Sequence, residues 1–449
     1  MWTSILGNNG VGKTIVLQSI ALALTGGNSI HDVLPYPVHW VRSEEKWGSI
    51  EATVSFEKNE LPAKNSPKEL TLFYYVIGPE GATIKGEFFP GPGIVEPGPT
   101  KNSSHFQRNL RDSSPFLAGY GTFRVYTKTH TKSNIPEREN PRSRRIASLF
   151  RDSSVMMDIE GWLRELEYDA LKFETPSDTK LYEKAMAATE SVLPTIKISK
   201  IGRDKQLYVK TSSGEIPLSE LSDAYMSLFS WTGDLFMRLF ENYHDLKDPK
   251  KGSGVVLVDE IGLHMHPTSQ RKIIDWLRTN YPNIQFIVTS HSPFIAQASR
   301  EGEIFVFEDI EGQTNLRPFE GSLKGWRVDQ ILTTIFDMET TRDLDTENKI
   351  KQYDELLMQK YKKSFSEQQR ETLEKLKNEL SVGLSPPGES LGIMEKQKEL
   401  SQIIEALKKP SVITKRNQNP VERKTRPTRR KATSKRKAST RKRVTRRND

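Results

Sequence analysis

An α/β fold built around a parallel sheet is predicted by three stretches of the chain. Gly7-Asn8-Asn9-Gly10-Val11-Gly12-Lys13-Thr14 fits the pattern G-x-x-x-x-G-K-[ST] at every specified position, after a strand-like run from Trp2 to Leu6 and before an apolar, helix-like run. Gly254 to Val258 reads as a strand buried on both faces, and Asp259 and Glu260 emerge at its carboxyl end, where open α/β sheets bind their ligands. Asn283 to Ser292, NIQFIVTSHS, reads as a second buried strand tipped by Thr289-Ser290-His291-Ser292-Pro293.

The residue types in these stretches suit a nucleoside triphosphate. Gly7, Gly10 and Gly12 let backbone N–H groups turn inward around a phosphate, with Asn8, Asn9 and Val11 completing the loop. The helix from Lys13 to about Leu24 adds its N-terminal dipole. Lys13 then reaches the β- and γ-phosphates of ATP, and Thr14 ligates Mg²⁺. A glycine-rich turn that binds nothing would leave the Lys-Thr pair without a structural reason. Asp259 is placed to hold Mg²⁺ through water, and Glu260 to polarise the attacking water, which needs a carboxylate within hydrogen-bond reach. His291, on the neighbouring strand tip, contacts the γ-phosphate and so reports whether ATP or ADP is bound; standing alone it reads as a surface-loop histidine.

The combination of this loop with Pro217-Leu218-Ser219-Glu220-Leu221-Ser222-Asp223-Ala224-Tyr225, with Glu260-Ile261-Gly262-Leu263-His264-Met265-His266-Pro267, and with Ser290-His291-Ser292-Pro293 resembles the ABC-type ATPases of the RecF/SMC and overcoming-lysogenisation-defect branch. Within that branch it is similar to the short bacterial AAA-type ATP-binding proteins often encoded beside nucleases in antiphage systems. The resemblance covers Met1 to about Asp337. It implies an α/β P-loop NTPase of ABC-ATPase head type that dimerises over two ATPs, with Ser222 and its neighbours acting on the nucleotide held by the opposite protomer. It also makes the His264 to Pro267 region a loop at the dimer interface; as a metal pair the two histidines lack the further ligands zinc needs. Ala224 stands where relatives have Gly, which removes a glycine's freedom beside the γ-phosphate. Gly119-Tyr120-Gly121-Thr122-Phe123-Arg124 occupies the place of a Gln loop. Only Met1 to Leu6 precede Gly7 where the family has two strands, so either the start is internal or the fold has lost an edge.

The head is expected to span 1–337. Trp47 to Phe56, Leu70 to Ile77 and Ala82 to Phe89 alternate or are rich in aromatic and β-branched residues, which predicts an antiparallel β-subdomain within about 40–130. Pro90 to Ser114 is Pro/Gly/Ser-rich and reads as a mobile loop. A helical lobe at about 145–245 carries Met157 to Phe173, with Ile159, Trp162, Leu163 and Leu166 as a core stripe, and Lys180 to Leu193. It ends in a buried helix whose Tyr225, Leu228, Phe229, Thr232, Leu235, Phe236 and Leu239 share one face. Glu303 to Glu308 forms one more strand. Lys13 and Ser222 stand 209 positions apart without sustained heptads, so the long coiled-coil arms of SMC proteins are absent. A helical C-terminal module follows at 338–410, read as a partner-docking or dimer-supporting element or as simple helical packing, and then a disordered basic tail at 411–449. Asp343-Leu344-Asp345 lies between helical segments and not at a strand end, so any nuclease activity is expected to belong to a separate protein.

Composition bounds the remaining choices. The 449 residues are 35% hydrophobic and include no cysteine, which excludes disulfides and cysteine zinc sites. No apolar run approaches the roughly 20 residues of a membrane span, and Met1 to Leu24 lacks a signal peptide's basic start, so a soluble, cytoplasmic protein is expected. From Lys415 to Asp449 sixteen Lys/Arg face only Glu422 and Asp449; this tail carries +14 against +9 for the whole chain, leaving −5 for the rest. Such a segment binds nucleic-acid phosphates without reading sequence, or meets acidic partners, or simply extends. The sequence reading is therefore an ATPase whose head dimerisation controls a partner effector, a nuclease or toxin, in antiphage defence; the alternative is a RecF-like DNA-binding ATPase in repair or chromosome maintenance.

Overall fold

Five residues of strand precede the glycine loop, and the fold is organised around where that strand goes. The computed structural model describes residues 1–25, 33, 40, 47–55, 69–77, 83–90, 116–124, 141–151, 156–189, 193, 196–204, 206–211, 214–310, 313–361 and 365–383. The expected mobile loop beyond Pro90, the basic tail and the helical segment after Gly383 lie outside them. The chain divides into two units, Met1–Thr341 and Arg342–Asp449.

In the first unit, β1 (Trp2–Leu6) leads through the loop into α1 (Lys13–Thr25), whose Leu17, Ala21 and Leu22 are fully buried. Strands β2 (Trp47–Ser55), β3 (Glu69–Ile77) and β4 (Thr83–Pro90) form the antiparallel sheet that the alternation predicts, in the order β2-β3-β4. A strand that the sequence reading did not assign, β5 (Phe116–Tyr120), follows, buried along its whole length. Then come α2 (Pro141–Ile146), α3 (Ile159–Phe173) and α4 (Pro176–Thr189). Asp158 caps α3 by accepting from the Gly161 amide at 3.0 Å. A second unassigned element is a small antiparallel sheet of β6 (Lys197–Ile201), β7 (Leu207–Thr211) and β8 (Gly214–Pro217). It leads into α5 (Asp223–Asn242).

The chain continues as β9 (Gly254–Val258), α6 (Pro267–Asn280), β10 (Ile284–Ser290), α7 (Pro293–Ala298), β11 (Ile304–Ile310), β12 (Gln313–Pro318) and α8 (Val328–Ile335). The β11–β12 hairpin extends the single strand expected at Glu303 to Glu308. The central sheet has six strands in the order β12-β11-β1-β10-β9-β5. All its pairings are parallel except β11 with β12. This is an α/β P-loop fold. Register sets the functional edge: Leu6 lies opposite Ser290, Val288 opposite Val258, and Val258 opposite Tyr120, so four strands end within two residues of one another on the same side of the sheet.

The core lies between this sheet and the helices. Helix α5 buries the predicted face, Leu228, Phe229, Thr232, Leu235, Phe236 and Leu239, and also Trp231, Met237 and Phe240, because neighbours cover more than one side of it. Trp162 of α3 meets Phe236 and Phe240 edge-on at 6.0 and 5.1 Å, so the α3 stripe packs on α5 as expected. No helix among the described residues is long and apolar enough to cross a membrane.

In the second unit, α9 (Leu344–Tyr361) and α10 (Glu367–Gly383) bury Tyr353, Leu373, Leu376 and Leu380 against each other. Asp343 accepts from the Thr346 amide and hydroxyl at 3.0 and 2.7 Å at the start of α9, a capping arrangement rather than a strand-end metal ligand.

Within the core of the first unit, Asp234 of α5 is fully buried and accepts from the Tyr120 hydroxyl (2.8 Å), the Met157 amide (2.8 Å) and Arg238 Nε (2.5 Å). Burial first, and the Asp234 charge second, push the Tyr120 hydroxyl well above its ordinary pKa, so it stays a donor. Breaking a buried pair by removing one partner strands the other, at a cost of about 3–5 kcal/mol. Asp234→Ala is therefore expected to lower the unfolding free energy obtained from urea titration by that amount, and a change under about 1 kcal/mol would contradict the assigned network.

Candidate functional site

The loop between β1 and α1 is shaped by backbone, not by crowding. Gly10 and Gly12 have φ of +82° and +100°, in the left-handed region, while a Cβ at either position would meet nothing within 4 Å. Glycine is needed there for conformation alone. Asn8, Asn9 and Gly10 are exposed, Gly7 is buried, and Val11 and Gly12 lie between. Lys13 is only 6% exposed. Its ammonium donates to the carbonyls of Gly7 (2.9 Å) and Asn8 (3.0 Å) and stands 3.3 Å from Glu260 Oε1. Three partners match its three protons.

Asp259 and Glu260 are set by the end of β9. The Asp259 amide donates to the Tyr120 carbonyl at 2.8 Å, continuing the β5–β9 ladder by one step. Its carboxylate is buried and accepts from the Thr14 hydroxyl at 2.7 Å on one oxygen and from the Thr289 hydroxyl at 2.5 Å on the other. Glu260 has φ +45°, a left-handed conformation uncommon for a non-glycine residue. Its amide donates to Thr289 Oγ1 (2.7 Å), and the Ile261 amide to the Thr289 carbonyl (3.0 Å). Arg124 Nη2 donates to the carbonyls of Asp259 and Glu260 at 2.5 and 2.6 Å. The turn points the 14%-exposed Glu260 carboxylate between Lys13 and His291, whose Nδ1 lies 2.8 Å from Oε2 and whose amide donates to the same oxygen at 3.3 Å.

The structure thus brings together the phosphate-loop residues, Asp259, Glu260 and His291. It does not bring Ser222 to them: Ser222 is exposed at the N-cap of α5, makes no side-chain capping bond and forms no hydrogen bond to the loop. The His264–Pro267 segment is tied to the His291 turn by Gln270, whose Nε2 donates to the Gly262 and Met265 carbonyls at 2.9 and 3.0 Å and whose Oε1 accepts from Ser292 Oγ at 2.5 Å. His264 is exposed, and His266 caps α6 by accepting from the Thr268 amide at 3.3 Å. Sequence reasoning missed Thr289 and Arg124. Both belong to quoted motifs, but their roles are contacts to distant backbone, which residue type alone does not disclose.

The donor set suits a hard divalent cation beside a polyphosphate. A threonine hydroxyl and an aspartate carboxylate provide hard oxygen ligands of the kind Mg²⁺ prefers. They adjoin a loop whose backbone opens into a nest and a lysine whose ammonium is already at hand.

A parallel sheet with a phosphate loop after its first strand and an acidic pair after a neighbouring one defines the head of an ABC-like P-loop ATPase. Residues 3–296 match the family described as "AAA domain, putative AbiEii toxin, Type IV TA system", and the chain belongs to that family. Among its relatives is the Septu protein PtuA of Bacillus mycoides, 24% identical over 85% of this chain and 46% of that protein. Another is the "Retron Ec83 probable ATPase" of Escherichia coli, 30% identical over 45% of this chain and 36% of that protein. A third is the "Retron Vc95 probable ATPase" of Vibrio cholerae, 31% identical over 29% and 26%. The chain spans less than half the length of each of these relatives. A solved SMC head bound to the C-terminal winged-helix domain of ScpA is 11% identical, covers 71% of this chain and 90% of its own, and superposes with a TM-score of 0.44.

Proposed function

We propose that this chain binds and hydrolyses ATP with Mg²⁺, and that two heads close over two nucleotides to control a partner effector, a nuclease or toxin, in antiphage defence. The observation that carries the reading is the convergence of Lys13, Thr14, Asp259, Glu260 and His291 at one sheet edge. The loop amides from Gly7 to Gly12 receive the phosphates. Thr14 and Asp259 would hold Mg²⁺, which supplies charge neutralisation at the β- and γ-phosphates. The antiphage setting rests on the motif resemblance and on relatives that are Septu and retron proteins. Its place is the cytoplasm, the compartment that holds ATP.

Lys13 and Glu260 have linked tasks. The Lys13 ammonium stands 3.3 Å from one Glu260 carboxylate oxygen. When Lys13 turns to the phosphates it leaves the Gly7 and Asn8 carbonyls and Glu260, and Glu260 becomes free to take a proton from the attacking water. His291 keeps the other oxygen of Glu260 oriented and is the group placed to sense the γ-phosphate. Ser222, exposed at the start of α5, is available to a second copy's nucleotide.

A RecF-like reading, in which the Lys415–Asp449 tail binds DNA and no effector is needed, is favoured by the tail's charge of +14. DNA-stimulated turnover without a co-purifying partner would support it, and a stoichiometric nuclease or toxin would support the effector reading.

Two outcomes test the site. Lys13→Ala is expected to weaken ATP binding by at least about tenfold, which is about 1.4 kcal/mol, whereas Glu260→Gln keeps ATP affinity and lowers turnover about 100-fold or more. A parental hydrolysis rate in Glu260→Gln would remove Glu260 as the base. In light scattering, Glu260→Gln with Mg²⁺ and ATP is expected to double in mass, and adding Ser222→Arg to restore the nucleotide-free mass. A mass that ignores nucleotide in both proteins would count against head closure.

A further inference from the structure

We infer that Arg124 is a positioning residue for hydrolysis: its guanidinium, bound to the carbonyl oxygens of Asp259 and Glu260, fixes the backbone turn that aims the Glu260 carboxylate at the nucleotide. The inference rests on the proposed role of Glu260 as base. Arg124 is 4% exposed and carries its charge into the interior, and among the described residues it has no carboxylate oxygen in hydrogen-bond contact. Desolvating a cation costs several kcal/mol, and here it is met mainly by two backbone oxygens that belong to the two acidic site residues.

The turn itself requires restraint. A glutamate with left-handed backbone, φ +45°, is held against steric strain. Its backbone groups have partners: Thr289 takes the Glu260 and Ile261 amides, Tyr120 takes the Asp259 amide, the Leu263 amide donates to the Glu260 carbonyl at 2.9 Å, and Arg124 donates to the carbonyls of both Asp259 and Glu260. Four of these contacts are neutral and local to the sheet edge or the adjoining loop. The Arg124 contacts are charge-assisted, so they are the strong clamp.

Arg124 is in turn placed by its surroundings. Its guanidinium lies 6.0 Å from the ring centre of buried Trp231 on α5, the helix that starts after Ser222. The approach from β5 is tight, since a Cβ on Gly121 would come within 2.0 Å of the Ser148 carbonyl oxygen. Burial lowers the Arg124 pKa to about 10, with the Asp259 and Glu260 charges opposing that fall, so it remains a cation at neutral pH. Its Nε has no partner, so the two Nη2 bonds and the Trp231 face carry its placement.

The test uses the full chain with Mg·ATP. Arg124→Met is expected to lower kcat about 10- to 100-fold, the scale of a misplacement of about 1 Å, with the dissociation constant of a fluorescent ATP analogue changed less than about threefold. Arg124→Lys keeps the charge and a donor but loses the planar fork, and is expected to recover turnover to within about fivefold of the parent. The decisive measurement is the slow single-turnover rate of Glu260→Gln, to which Arg124→Met should add no further loss, because a residue acting through the Glu260 carboxylate has nothing left to position. A further fall by the full single-variant factor, or equal losses in kcat and ATP affinity, would overturn the inference and leave Arg124 a structural residue. If Arg124→Met does not fold, Arg124→Gln takes its place: a kcat loss at unchanged ATP affinity supports the inference and an unchanged kcat overturns it. A parental rate in Glu260→Gln alone would remove the base assignment beneath it, an outcome separate from any result on the Arg124 single variants.

Discussion

The in-register parallel pairing of β1, β10, β9 and β5 is the constraint on which the site depends. Because Leu6 and Ser290 end level with each other, and Val258 and Tyr120 end level with Val288 two residues earlier, the loop after β1, the acidic pair after β9, His291 after β10 and Arg124 after β5 are delivered to one edge. No long side chain has to reach far. A one-residue slip of β10 against β9 would turn Thr289 from Asp259 and move the Glu260 turn off its hydrogen-bond partner, since side chains alternate faces with a period of two. The hydrophobic pattern of both strands specifies that register, for Val256, Val258, Phe286 and Val288 are all buried.

Electrostatics at that edge is arranged as matched pairs in restricted solvent. Lys13 and His291 flank the Glu260 carboxylate, Thr14 and Thr289 hold that of Asp259, and Arg124 binds the carbonyls of both; the Lys13–Glu260 charges, this close and this poorly hydrated, interact more strongly than on an open surface. The same groups also satisfy one another: Lys13 donates to loop carbonyls and pairs with Glu260, and Thr14 donates to Asp259. A polyphosphate with its cation offers each of them a stronger partner. Thr289 is the quiet member of the set, a single hydroxyl that donates to the Asp259 carboxylate and accepts from the Glu260 amide.

What the sequence disclosed follows from how local each demand is. The phosphate loop is legible because Gly10 and Gly12 must take left-handed backbone and Lys13 and Thr14 follow at fixed spacing. Asp259 and Glu260 are legible because an aliphatic strand ends in them. β5 was missed because Phe-Leu-Ala-Gly-Tyr is short and carries a glycine, and its strand character comes from the β9 neighbour it pairs with. The sheet of β6, β7 and β8 was missed for the same reason, its strands being four or five residues long. Arg124 escaped because its partners are carbonyls more than a hundred positions away, which no residue-type pattern marks. Ser222 remains tied to the resemblance: within one chain it stands apart from the loop, as a residue that serves a second copy would.

The central claim is that Thr14 and Asp259, joined by a 2.7 Å hydrogen bond, form the cation site that completes nucleotide binding. Calorimetric titration of ATP into the full chain, with Mg²⁺ and with the cation chelated, tests it most directly when repeated on Asp259→Asn. The account predicts that Mg²⁺ tightens ATP binding at least about tenfold in the parent, about 1.4 kcal/mol, and that Asp259→Asn loses most of that gain while keeping its cation-free affinity. An equal Mg²⁺ effect in both proteins would contradict it.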